Sequence, residues 1–172
     1  MRNMDDQEKY KIAFRLAAGA SSGLYFLEDY LYNKERTDLA YIRSISILLS
    51  YHVELLLKSR VVMLGTFSNE GELKKKLTSL SHDLTRIGKE VGNEELLKIG
   101  IKKITKNDTQ YIIETTNDIE IKTEDFIDIR YDYLFGKMRT INGEEYGEIV
   151  GYVKELLAVL KLIKEYNEEA IK

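Results

Sequence analysis

Cysteine does not occur in this chain, which excludes disulfides, thiol catalysis and zinc held through sulfur. Proline is absent too, so nothing of that kind interrupts a long helix, and the abundance of Leu, Ile, Lys and Glu suits helices. Neither sign of charge dominates. Lys and Arg total 26 against 29 for Asp and Glu, a formal net charge of -3, so the global field attracts neither nucleic acid nor an anionic membrane, and only a local basic patch would. A long uncharged apolar run is also missing. The most hydrophobic window, Ile42 to Leu64, carries Arg43, His52, Glu54, Lys58 and Arg60, too many charges for a membrane span. The first residues are charged and lead into only the short Ala17 to Ala20 stretch, so no secretory signal is read and the expected location is cytoplasmic.

With 172 residues, one domain has room for a sizeable core, whereas two would each be small and marginal; a single domain over 1–172 is therefore expected. Asp5 and Glu8 outline a capping box, after which Ile12, Leu16, Ala20, Leu24, Leu27 and Leu31 recur at helical spacing. The small residues from Ala17 to Gly23 cost helix propensity but let another backbone approach, which predicts a tight helix crossing there. A second helix is predicted from about Thr37 or Asp38 to Leu64, with Gly65 as its stop. Its apolar residues, among them Ile42, Leu48, Leu56, Val61 and Leu64, surround much of its circumference and mark it as the central buried element. Joined by Asn33 to Arg36, the two form an antiparallel hairpin.

From Glu70 to about Lys103 shorter helices are expected. Ser81 caps one that ends at Gly92, and Asn93 with Glu94 and Glu95 opens the next. Tyr111 to Thr115 and Ile119 to Lys122 are β-branched and alternating around Thr116, Asn117 and Asp118, which predicts a small β-hairpin at about 109–122 inserted in a helical protein. Thr123 caps a short helix running into Arg130 and Phe135, which Gly136 breaks. Asn142 and Glu145 then open a long amphipathic final helix through Ile149, Val153, Leu156, Leu160 and Ile163.

Glu54 and Lys58 stand four apart, acid first, where opposite charges meet on one helix face; an ion pair ordering two helices is the plain expectation. His52 and His82 are the chain's two imidazoles, the side chains able to move protons near neutral pH without a large shift. His82 stands beside Asp83 at a predicted helix start, where orienting the turn is its simplest task. Two histidines with no His-x-x-x-His pair make no metal site. Arg130 follows Glu124, Asp125 and Asp128 and stands among Tyr131, Tyr133 and Phe135. In that company a guanidinium forks onto a carboxylate, stacks on a ring or holds a phosphate.

Three of these segments, Ser50-Tyr-His-Val-Glu-Leu-Leu-Leu-Lys58, Ser81-His-Asp-Leu84 and Arg130-Tyr-Asp-Tyr133, resemble in order and spacing the HEPN family (higher eukaryotes and prokaryotes nucleotide-binding). The resemblance implies a mainly α, up-and-down helical bundle, to which the hairpin at 109–122 is an addition. It implies a groove at which Glu54, Lys58, Arg130, Tyr131 and Tyr133 stand, and a ligand that is RNA or a nucleotide. Ribonuclease members of that family place a histidine four to six residues after an arginine, the arginine stabilising the phosphorane and the histidine moving a proton. Here Tyr, Asp, Tyr, Leu, Phe, Gly and Lys follow Arg130, and no arginine precedes a histidine at that spacing. The expected protein is therefore a non-catalytic or divergent HEPN-like one that binds RNA, a nucleotide or a protein partner, with no cofactor and no metal.

Two alternatives stand beside it. One is a metal-independent ribonuclease of toxin–antitoxin or phage-defence type, in which Arg130 and His82 or His52 converge in space as catalytic candidates. The other is the helical partner subunit of a nucleotidyltransferase, since the chain has no Gly-Ser signature and no Gly-rich phosphate loop of its own. Twelve tyrosines, several on the two long helices, agree with the homodimer that the resemblance implies.

Overall fold

The structure, a computed structural model, describes residues 3–33, 39–108 and 110–124, together with Ala158, Lys161, Leu162 and Glu165. Among the described residues the protein is mainly helical with a small three-stranded antiparallel sheet. Helix α1 (Asp6–Asn33) and helix α2 (Leu39–Leu64) come first. Asp5 Oδ1 accepts from the backbone N–H of Glu8 at 2.8 Å, so the cap read from the sequence is made. The two helices run antiparallel. Met4 N–H donates to Phe67 O at 2.7 Å and Lys9 Nζ donates to Gly65 O at 3.3 Å, which sets the start of α1 beside the end of α2.

Farther along, the small-residue stretch of α1 meets α2 as expected. Ala17 and Ala20 are buried, and a Cβ on Gly23 would lie 2.0 Å from His52 Cε1, closer than any side chain tolerates. His52 thus fills the space that glycine leaves. Val53, Leu56, Leu57 and Val62 of α2 are wholly buried, whereas Leu48 and Leu64, read from the sequence as parts of its buried surface, are well exposed. Among the α2 residues whose burial is described, the most deeply buried lie between Val53 and Val62.

Helix α3 (Glu70–Leu80) begins at Asn69, whose side chain accepts from Glu72 N–H, and helix α4 (Leu84–Val91) begins at Asp83, whose Oδ1 accepts from Arg86 N–H at 3.0 Å. The cap of α4 is therefore Asp83, not Ser81. Ser81 instead closes α3, with φ +51°, and its N–H bonds Thr78 O. Gly92, at φ +86°, ends α4 and precedes the short helix α5 (Asn93–Lys98), opened by Asn93, Glu94 and Glu95 as the sequence indicated. Arg60 binds Glu95 Oε2 through Nη2 (2.7 Å) and Nε (3.0 Å) and so ties α5 to α2.

The inserted β-hairpin is larger than expected. Strands β2 (Gln110–Thr115) and β3 (Glu120–Glu124) are the pair read from the sequence, but β1 (Ile101–Asn107) occupies residues assigned there partly to helix, and the sheet order is β1-β2-β3. Nor is it an appendage. Ile101, Ile104, Tyr111, Ile113 and Ile121 join Leu56, Leu57, Leu84 and Ile87 in one buried cluster, with β1 against α4 and α5 and β3 against α2. On the outer face Lys102 and Lys103 both pair with Glu114, whose carboxyl lies below its usual range because of the Lys102 and Lys103 bonds. A second buried cluster, Met4, Ala13, Val62, Phe67 and Leu73, joins the ends of α1 and α2 to α3. Ala158, Lys161, Leu162 and Glu165 are helical, in keeping with the final helix read from the sequence, whose expected start at Asn142 lies outside the described residues. Thr123 and Glu124, read as the opening of a short helix, instead end strand β3, where they pair with β2, and the rest of that expected helix lies outside the described residues.

Candidate functional site

Glu54 and Lys58 face the turn that joins α3 to α4. Lys58 Nζ donates to Glu54 Oε1 at 2.7 Å and to Ser81 O at 2.6 Å. The i to i+4 pair read from the sequence is thus formed, and it also binds α2 to a loop 23 residues ahead. The second oxygen of the same carboxylate, Oε2, lies 2.8 Å from His82 Nδ1. An ionised carboxylate only accepts, so Nδ1 carries the proton and donates, which leaves Nε2 the basic nitrogen of the neutral ring. Both oxygens of Glu54 are consequently used, by a lysine on one side and an imidazole on the other.

Burial makes this more than a surface pair. The Glu54 side chain is 5% exposed, Lys58 12% and His82 40%. A carboxylate so enclosed is tolerated only when charged and hydrogen-bonding partners replace its water, and here both are present. His82 is the member that reaches solvent. It does not begin a helix, as the sequence suggested, but is the single residue between Ser81, which closes α3, and the Asp83 cap of α4. Ser81 holds φ +51° and ψ -137°, a region essentially reserved for glycine and costing a serine about 1–3 kcal/mol. Lys58 grips the carbonyl of that same residue, so one side chain fixes both the turn and the carboxylate that orients the imidazole.

These three residues lie at a groove of about 870 Å³ between α1, α2 and α3. Ile12, Leu16, Leu55, Leu73 and Leu77 provide apolar lining; Tyr51, Arg15 and Lys74 also line it. The size is that of sites for small ligands, and the mixture of apolar wall with a few convergent polar groups is what such sites share. An imidazole whose Nδ1 is held by a carboxylate is poised to exchange a proton through Nε2, and exposed cations beside it suit an anionic ligand.

His52, the other imidazole, has no part in this cluster. It is buried at the crossing of α1 and α2, its Nδ1 has no hydrogen-bond partner among the described residues, and burial holds its pKa below the usual histidine value. Arg130, Tyr131 and Tyr133 lie outside the described residues, so the groove is built here without them. Arg15, Lys74 and the Ser81 carbonyl were not singled out in the sequence. Arg15 is the sole charged residue between Lys11 and Glu28, and that isolation in an apolar stretch was a usable signal; Lys74 was hidden in the run Lys74 to Lys76. Among the described residues no three His, Asp or Glu side chains gather to hold a metal, and no helix is long and apolar enough to cross a membrane.

Compared with protein-family models, with curated proteins and with solved structures, the chain matches none of them.

Proposed function

We propose that this chain is a HEPN-type helical protein that binds RNA or a nucleotide in the groove between α1, α2 and α3, without the family's standard ribonuclease chemistry. The observation that carries the reading is the groove itself, where a buried Glu54–Lys58 pair and a half-exposed His82 stand together beneath an apolar wall and exposed cations. The antiparallel pair of long helices agrees with the bundle that the resemblance implies, and the sheet of β1 to β3 is an elaboration of it. The missing histidine after Arg130 argues against cleavage by the usual Arg and His pair.

A second reading, a divergent metal-independent ribonuclease, is favoured by one contact, the 2.8 Å approach of His82 Nδ1 to Glu54. In that scheme Nε2 of His82 takes the proton of a 2′-hydroxyl, whose oxygen bonds to phosphorus. Glu54 stabilises the imidazolium that results, a cation of the groove stabilises the charged phosphorane, and the P–O5′ bond then breaks as the leaving 5′-oxygen takes a proton from that imidazolium. Labelled RNA of mixed sequence, incubated in chelator with wild-type protein and with the His82→Ala, Glu54→Gln and Arg130→Ala variants, separates the two. Retained but intact RNA is the expected result. Cleavage by the wild type that His82→Ala abolishes establishes the second reading, and RNA that is neither retained nor cut removes both.

A further inference from the structure

Resting on the RNA- or nucleotide-binding reading, we infer that Arg15 and Lys74 hold the phosphate of the ligand, and that this ligand is an unpaired nucleotide whose base lies on the groove's apolar wall. Arg15 belongs to α1 and Lys74 to α3, so the groove is flanked by cations from two separate elements. Both are exposed, and neither makes an ion pair or hydrogen bond among the described residues. The neighbouring cations are not comparable, since Lys58 is committed to Glu54 and Ser81, and Lys76 to Glu90.

The lining carries three cations, Arg15, Lys58 and Lys74, against two carboxylates, Glu54 and Glu70. That excess of one positive charge stands out on a chain whose formal net charge is -3, and it makes the groove a local attractor for an anion. The body of the ligand follows from the wall. Ile12, Leu16, Leu55 and Leu77 are only partly buried and leave apolar surface facing the groove, which a base face covers and a bare phosphate or sulfate does not. A duplex presents phosphates outward with its bases stacked inside, and a cavity of about 870 Å³ admits an unpaired nucleotide rather than a helix.

Fluorescence anisotropy of a labelled single-stranded RNA tests this on wild type, Arg15→Gln, Lys74→Gln and the double variant across a salt series, with AMP, adenosine and duplex RNA as competitors. Urea denaturation of each variant checks that these exposed substitutions leave the fold intact. The double variant is expected to bind at least about tenfold more weakly, and its dependence of log affinity on log salt to flatten by about 0.7, the loss of one neutralised phosphate of a single strand. AMP is expected to compete at least about tenfold better than adenosine, and duplex RNA not to compete. Wild-type binding that the double variant retains with the same salt slope overturns the assignment of Arg15 and Lys74 and leaves the binding reading standing. Duplex competing as well as single strand overturns the unpaired nucleotide. No binding by the wild type to RNA or AMP overturns the reading and the inference together.

Discussion

Replacing Lys58 with methionine is expected to destabilise the protein by about 3 kcal/mol. The substitution keeps the length and apolar body of the side chain but removes the charge that faces Glu54 at 2.7 Å. Taking one partner from a buried ion pair costs about 3–5 kcal/mol, because the remaining charge is left in a poorly solvated place. The lower end applies, since Lys58 is 12% exposed and Glu54 keeps the His82 hydrogen bond. Ser81 O also loses its 2.6 Å donor, although an exposed carbonyl finds water. With a urea m-value of about 2 kcal/mol/M, suited to a small domain, the midpoint moves down by about 1.5 M. Urea denaturation followed by far-ultraviolet circular dichroism reads the shift. Substituting Glu54→Met as well removes the stranded carboxylate, so the double variant should recover most of the loss. A midpoint within about 0.3 M of wild type for Lys58→Met, near the worth of an exposed pair, would refute the claim that burial gives this pair its weight.

Gly23→Ala places a Cβ about 2 Å from the His52 ring and should cost about 1–2 kcal/mol net, overlap outweighing the roughly 1 kcal/mol gained in helix propensity; His52→Ala in the same chain should relieve it in a double-mutant cycle. His52 also predicts a pH dependence. Burial lowers its folded pKa below the ordinary 6.5, so the unfolded chain binds the proton first, and stability that is complete above about pH 6.5 falls as the pH drops toward the folded pKa. Urea midpoints at pH 7 and pH 5 should differ less in His52→Leu than in wild type. Asp83→Ala removes the acceptor of Arg86 N–H and should cost about 1 kcal/mol, whereas Ser81→Ala, which removes no cap, should not.

The parts of the fold set by neighbouring residues were readable from the chain. The Asp5 cap and the alternating β2 and β3 depend on contacts within a few positions or on a clear period, and the crossing at Ala17 to Gly23 was signalled by a local run of small residues. Strand β1 was not readable for a physical reason. Its register shifts between Ile101 and Lys103, so Ile101 and Ile104 both turn inward at a spacing of three, which imitates a helix face and breaks the alternation of a strand. At the cap of α4, Ser81 and Asp83 are both good capping residues, and the choice fell to the backbone of the turn, which spacing does not encode. The site divides the same way. Glu54 with Lys58 is a local pair and was legible, whereas Glu54 with His82 spans 28 residues and exists only because α3 returns the chain to α2. Arg15 and Lys74 reach the groove by the same tertiary route.

The claim on which the rest depends is that the groove between α1, α2 and α3 receives RNA. Photocrosslinking of a single-stranded RNA carrying 4-thiouridine, followed by mass spectrometry of the attached peptides, locates the contact directly. Adducts within 12–16, 51–58 and 74–82 are the predicted result. Adducts confined to the outer face of β1 to β3, or none at concentrations where the RNA is retained, would contradict it.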